Sequence, residues 1–239
     1  MKQPQTMRYQ FLDLTRGVAI ILMFIYHLAF GLDQLGFINI ELATNISWII
    51  FRAIIVFLFL SLVGVGLYLV SRKGLNKASY FKRLSLLFVY ACSITISSYF
   101  VRPDYYVFFG ILHLIFIASI LGLLFLKLKW FNLALGICVF ILGIKYSNEF
   151  LNHPLTLWIG MHTTSFNTDD YAPLFPWFGF VLMGIFAGKV IFSKDKFINL
   201  TSWKSNNWLI RIISWMGRHS IHLYIAHFQF FYLMVYIWS

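Results

Sequence analysis

Apolar residues run along this chain in long blocks separated by short polar breaks. The blocks show neither the strict alternation of a half-buried strand nor the narrow stripe of a surface helix. They fall at 13–31, 47–70, 81–100, 107–126, 130–146, 174–192 and 220–238, each close to the ~20 residues that cross a ~30 Å hydrocarbon layer. Only helices satisfy their own backbone in such segments. The pattern therefore predicts an all-α integral membrane protein, with about seven transmembrane helices in one bundle and a single polytopic domain over 1–239. The stretch 206–218, NNWLIRIISWMGR, is too short to cross. Its Trp and Arg positions predict a helix lying along the membrane surface before the last span.

Composition agrees: 60% of residues are hydrophobic, 20% aromatic and 11% charged, and the mean hydropathy of +0.79 lies outside the soluble range. The aromatic excess reads as lipid-facing surface and interface belt. The chain carries 19 Lys plus Arg against 8 Asp plus Glu, a net charge of +11. These cations sit between apolar spans and form no separate module, so no nucleic-acid partner is expected. They sort by loop instead. Lys2 and Arg8 precede the first span; Arg72, Lys73, Lys77, Lys82 and Arg83 follow the second; Lys127 and Lys129 occupy the fourth turn. Lys189, Lys194, Lys196, Lys204, Arg211 and Arg218 lie around the stretch before the last span, while the alternate loops hold only Arg102 and Lys145. The bias predicts a cytoplasmic N-terminus, an outer loop at 147–173 and, with an odd number of spans, an outer C-terminus. The start carries Arg16 and His27 inside its apolar run and shows no small-residue cleavage site, so it reads as a retained first helix. Cys92 and Cys138 lie inside apolar runs and predict neither a disulfide framework nor a metal site.

An ionisable side chain within a span costs about 2.5–3.5 kcal/mol on insertion scales, which makes each one a functional candidate. In the first helix these are Asp13, Arg16 and His27. The eleven-residue step from Arg16 to His27 returns to within about 20° of one face, about 16 Å further along, and Asp13 stands three residues before Arg16, in pairing range. Arg52 and His113 are expected level with His27, near the outer ends of the second and fourth spans. Asp169 and Asp170 precede the run Tyr171 to Trp177, whose prolines and aromatic rings should fix the chain ahead of the sixth helix. Ser220, Tyr224 and His227 share one side of the last span. The inner ends carry Arg16, Lys82, Arg83, Lys189, Arg218 and His219, a cluster suited to a phosphorylated ligand. The bland alternatives are ordinary ones: basic residues at helix ends anchor to lipid headgroups, and span histidines hydrogen-bond to neighbouring helices. His153 and His162 read as solvated loop residues, and His222 is weak evidence.

The run Leu12-Asp13-Leu14-Thr15-Arg16-Gly17-Val18-Ala19, continuing through Met23 to His27, resembles the opening of the transmembrane acyltransferases. These include the group typified by heparan-alpha-glucosaminide N-acetyltransferase and the sugar O-acyltransferases of bacterial membranes. Further matches are Arg52 with FLFLSLVGVG, Tyr80 to Arg83, Phe109 to His113, Tyr171 to Gly179, and Gly217 to Ser220 with Tyr224 and His227. Their order and spacing are similar to the bacterial branch of the heparan-alpha-glucosaminide acetyltransferase catalytic family. The resemblance implies a plasma-membrane enzyme that takes an acyl group, usually acetyl, from cytoplasmic acyl-CoA and passes it to a sugar amine or hydroxyl outside. The partners it implies are acyl-CoA, a glycan acceptor and membrane lipids, with acetyl-CoA as co-substrate. In the eukaryotic members the essential histidine follows the first helix, where residues 32–47 here hold none; in the O-acyltransferases it ends that helix, as His27 does.

On that resemblance His27 is the expected general base or transient acyl carrier. Arg52 or His113 polarises the thioester carbonyl, and Asp169 or Asp170 orients the acceptor or an imidazole. Asp13 holds Arg16, which with Lys82, Arg83, Arg218 and His219 contacts CoA phosphates; Trp177, Ser220, Tyr224 and His227 contact substrate. Two other readings are open. His27, His113 and His227 can ligate haem between helices, and the buried charges can line a transporter path or a non-enzymatic lipid-binding scaffold.

Overall fold

The computed structural model describes residues 8–40, 42, 44–72, 74–128, 130–193 and 197–238, with the side chains of 235 and 238 left aside. Lys2, Lys73, Lys129, Lys194 and Lys196, which enter the loop-charge count, lie outside the described residues. Nine α-helices are described: α1 Gln10–Gln34, α2 Ile46–Arg72, α3 Lys77–Val101, α4 Ile111–Phe125, α5 Phe131–Lys145, α6 Leu174–Ser193, α7 Ile198–Ser202, α8 Trp208–Arg218 and α9 Ser220–Trp238. No strand occurs among the described residues, only an isolated parallel bridge between Phe109 and Tyr171.

The all-helical expectation holds, whereas length and apolarity support fewer spans than seven. Five helices are long and apolar enough to cross a membrane: α1, α2, α3, α4 with its following turn to Leu128, and α6. α5 has only 15 residues, short of the usual crossing length. α9 reaches 19 residues, but His222, His227 and Gln229 dilute its apolar run. The fourth block also begins later than its hydropathy predicts. Residues 103–110 form a 3-10 turn and an extended segment, because their backbone groups pair with residues 168–172 and with the Thr95 and Ser98 hydroxyls of α3 rather than continuing the ladder of α4.

α2 is central, packed on α1, α4 and α6, while α6 lies between α2 and α5 and α9 fits against α1 and α3. The main core is drawn from these helices; Ile20, Leu60, Leu114, Val181 and Leu182 have no or almost no exposure. α8 lies where a surface helix is expected, but it packs closely along the first half of α1. Gly17 and Gly217 permit this. A Cβ on Gly17 would run into the Ile213 carbonyl, and one on Gly217 into the Asp13 carbonyl. The opposite face of α8 stays open, with Trp208 65% exposed and Ile212 50% exposed. Exposed Phe81, Phe88 and Phe100 on α3, with Phe131 on α5, are surfaces that only a lipid solvent would suit.

Candidate active site

Two cavities lie back to back inside the bundle. The first, about 610 Å³, is lined by the cations Arg8, Arg16, Lys82, Arg83 and Arg218, with Asp13. Arg16 donates to Asp13 Oδ1 at 2.9 Å, so the acidic group is taken. Among the described residues Arg8, Lys82, Arg83 and Arg218 form no ion pair. A cavity of this size with four uncompensated cations suits a polyanionic ligand. His219, grouped with these residues from sequence, does not line it; its Nδ1 donates to the Trp215 carbonyl at 2.9 Å and its ring packs, tilted, against Trp215. Lys189 also points elsewhere, over the Trp130 ring.

The second cavity, about 280 Å³, is lined by His27, Arg52, Asp169, Asp170, Trp177 and Tyr224 among others. His27 Nδ1 lies 3.0 Å from the Met23 carbonyl. A carbonyl only accepts, so Nδ1 carries the proton and the neutral ring keeps a lone pair on Nε2. The His27 ring packs at 4.9 Å from that of His227. Arg52 reaches across from α2 and donates through Nη2 to the Tyr171 carbonyl at 2.5 Å, which spends one of its five N–H groups.

The segment 168–172 is stapled to the strand-like run before α4. The Asp169 amide donates to the Tyr105 carbonyl, and the Ala172 amide to the Phe109 carbonyl. This register delivers Asp170 to the N-terminus of α4, where Oδ2 accepts from the Ile111 amide at 3.0 Å, a position the helix dipole favours for a carboxylate. Gly110 makes room, since a Cβ there would collide with the Asp170 carboxylate. Asp170 is within electrostatic reach of Tyr26, His27, His113 and Tyr224, and Arg52 of Tyr26, His27 and Tyr224.

The neighbouring carboxylate does something different. Asp169 is gripped by Arg102 at 2.7 Å and accepts from the Tyr232 hydroxyl at 3.0 Å. Burial pushes the Asp169 carboxyl above its usual range, against the opposing pull of Arg102 and Tyr232. His113 is committed as well. Its Nδ1 accepts from the Gly110 amide at 3.2 Å, so Nε2 carries the proton and donates to Thr95 Oγ at 3.2 Å, which in turn donates to the Val107 carbonyl. Neither ring nitrogen remains for a substrate. Burial raises the Tyr171 hydroxyl; it donates to the Leu157 carbonyl at 2.6 Å and lies 3.0 Å from His162 Nε2, so His162 is held rather than simply solvated.

The structure thus brings together Asp13, Arg16, Lys82, Arg83, Arg218 and Ser220 on the first cavity and His27, Arg52, Asp169, Asp170 and Trp177 on the second, with Tyr224 on both. His227 lines neither; both its ring nitrogens are buried without a hydrogen-bond partner. Arg8, Tyr26 and the clasp residues Arg102 and Tyr232 were not singled out from sequence as site residues. For Arg102 no local signal exists, because its partner is 67 positions away.

Residues 8–229 match the family model described as heparan-alpha-glucosaminide N-acetyltransferase, catalytic. The chain belongs to this family. The match covers both cavities and every residue placed on them above. Membership in the heparan-alpha-glucosaminide N-acetyltransferase catalytic family carries with it a membrane-embedded acyltransferase activity. No curated protein and no solved structure matches the chain.

Proposed function

We propose that the chain transfers an acyl group, acetyl in the first instance, from acyl-CoA held in the cationic cavity to a sugar amine or hydroxyl held in the histidine cavity. The observation that carries this reading is the adjacency of two chemically different chambers, one lined by unpaired cations and the other by His27 with a lone pair on Nε2. A thioester bridging them would have its anionic end among Arg8, Lys82, Arg83 and Arg218 and its carbonyl near His27. The loop charges support a cytoplasmic cationic cavity and an outer histidine cavity, in a bundle whose α5 and α9 complete seven spans.

In this reading His27 Nε2 takes the proton from the acceptor nitrogen or oxygen as that atom attacks the thioester carbonyl. The carbon–sulfur bond breaks, and the imidazolium returns the proton to the departing thiolate, giving CoA thiol and the acylated acceptor. Arg52, with N–H groups to spare, faces the developing oxyanion. Asp170 offsets the transient imidazolium charge. In the alternative route Nε2 itself takes the acyl group as CoA thiolate leaves, giving an N-acyl imidazolium whose charge Asp170 would offset in the same way, and the acceptor then attacks that acyl carbon.

The test is release of free CoA by purified protein supplied with acetyl-CoA and a panel of glucosamine and glucose glycosides. Wild type releases CoA in an acceptor-dependent manner, and His27→Ala loses at least about 100-fold in rate, the scale of a general base, while eluting as the same monodisperse species. Full activity in His27→Ala would remove His27 from the mechanism. Release of one CoA per chain without acceptor would instead favour the acyl-histidine route.

A further inference from the structure

Three residues line both cavities: Phe59 from α2, Ile111 at the first position of α4, and Tyr224 from α9. The unpaired cations line only the first chamber, and His27, Arg52 and Asp170 only the second. These three side chains, each from a different helix, are therefore the common wall through which any acyl group carried by an anionic donor must reach Nε2 of His27. Two of them are firmly held. Ile111 is 7% exposed and Tyr224 4% exposed. The Ile111 amide is fixed on Asp170, and the Tyr224 ring stacks on Phe228 and meets the His227 ring edge-on at 5.3 Å. Phe59 packs against the main core. A wall of packed side chains yields little, since interiors do not deform continuously, so the space it leaves for an acyl tail beside His27 is fixed. Beyond it, the second chamber is less than half the volume of the first and must also hold the acceptor.

We infer that Phe59, Ile111 and Tyr224 form a septum that sets the acyl length by bounding the space for the tail, accommodating acetyl and rejecting chains of six carbons or more. The inference rests on the acyl-transfer reading and adds a donor selectivity to it. With the thioester carbonyl at His27 and the donor's arm lying across the septum, the acyl tail sits in the second chamber against Phe59 and Ile111; a longer tail would have to displace one of them, or hold its carbonyl short of His27.

The experiment compares CoA release from acetyl-, butyryl-, hexanoyl- and octanoyl-CoA by wild type, Phe59→Ala and Ile111→Ala, with the same glycoside panel. Tyr224 is left intact because it also faces the reacting groups. Wild type should fall about 100-fold or more between acetyl- and hexanoyl-CoA, given roughly tenfold or more per misfitting methylene at a tight site. Each Ala variant should raise its hexanoyl-to-acetyl ratio by about tenfold or more, and Phe59→Trp should depress the butyryl-to-acetyl ratio. The readout is a ratio within one preparation, so partial loss of folded protein does not affect it; Phe59→Leu and Ile111→Val report the same trend at smaller amplitude if the Ala variants do not fold. Equal wild-type use of acetyl- and hexanoyl-CoA overturns the septum, as do variants that act on acetyl-CoA with the wild-type chain-length profile; both outcomes leave the acyltransferase reading standing. Absence of CoA release by wild type from every donor overturns that reading and the septum with it.

Discussion

His27 divides its two nitrogens between the fold and the cavity: one is tied to its own helix, and the other keeps a lone pair. Its stripe with Arg16 was legible in the sequence, because the cost of burying such groups is independent of what surrounds them. The adjacent carboxylates were not separable in this way. Asp170 caps α4 beside the cavity, whereas Asp169 is spent on Arg102 and Tyr232, and the partners that decide this lie 67 and 63 residues away. His113 likewise looked identical to His27 by depth, and only Gly110 and Thr95 reveal it as a cap. The Asp169–Arg102 pair is largely dry, with side-chain exposures of 4% and 16%. Arg102→Ala should therefore destabilise the protein by about 3 kcal/mol, the cost of stranding a buried carboxylate. Adding Asp169→Asn should restore part of the loss. The deficit should also depend on pH. Burial already raises the Asp169 carboxyl, and removal of Arg102 raises it further. The folded variant then binds its proton more tightly than the unfolded chain, and stability falls as pH climbs from the unfolded value through the folded one. Thermal melts of the variant at pH 5 and pH 8 should show the larger deficit at pH 8.

Among the elements, the contact of α1 with α8 is the one most dependent on single atoms. Two glycines, Gly17 and Gly217, bring the backbones together, and the same crossing places Arg218 and Asp13 on the cationic cavity. Gly217→Val should cost about 1–3 kcal/mol through overpacking, lower the melting temperature in detergent, and raise the KM for acetyl-CoA more than it lowers kcat. The short helix itself was legible at 206–218 from its length and its Trp and Arg positions, but its seat on α1 was not, since a glycine gives no sign of what it will touch. Boundaries failed where apolar residues serve something other than a helix. Val107 to Phe109 continue the fourth block in hydropathy, yet they are extended, because Ser98 and Thr95 of α3 pair with the Val107 backbone and the Ala172 amide pairs with the Phe109 carbonyl.

At the scale of the molecule, charge asymmetry and chamber chemistry run in the same direction: the cationic chamber opens near the helix ends richest in Lys and Arg. Sidedness can be read directly. In a Cys92→Ala, Cys138→Ala background, Leu75→Cys should react with a membrane-impermeant maleimide only in inside-out vesicles, and Leu155→Cys only in right-side-out ones. The reverse pattern would invert the orientation, and labelling of both on one side would change the number of crossings between them. Membrane residence and the helical class were legible from hydropathy alone because lipid imposes them on every residue. The separation of a basic cluster from a histidine layer was legible for the same reason, and Tyr224 with it; the shared boundary was not, since Phe59 and Ile111 are unremarkable apolar residues until the fold sets them on both chambers.

The clasp of Asp169 by Arg102 and Tyr232 reaches beyond local stability. It bolts the far end of α3 and the last helix to the segment roofing the histidine chamber. Lifting that roof would mean separating opposite charges that have little water to turn to. In the proposed function the chamber would therefore adjust to an acceptor by small rotations of rings such as Tyr26 and Trp177, with traffic through it governed by side chains rather than by a swinging cover.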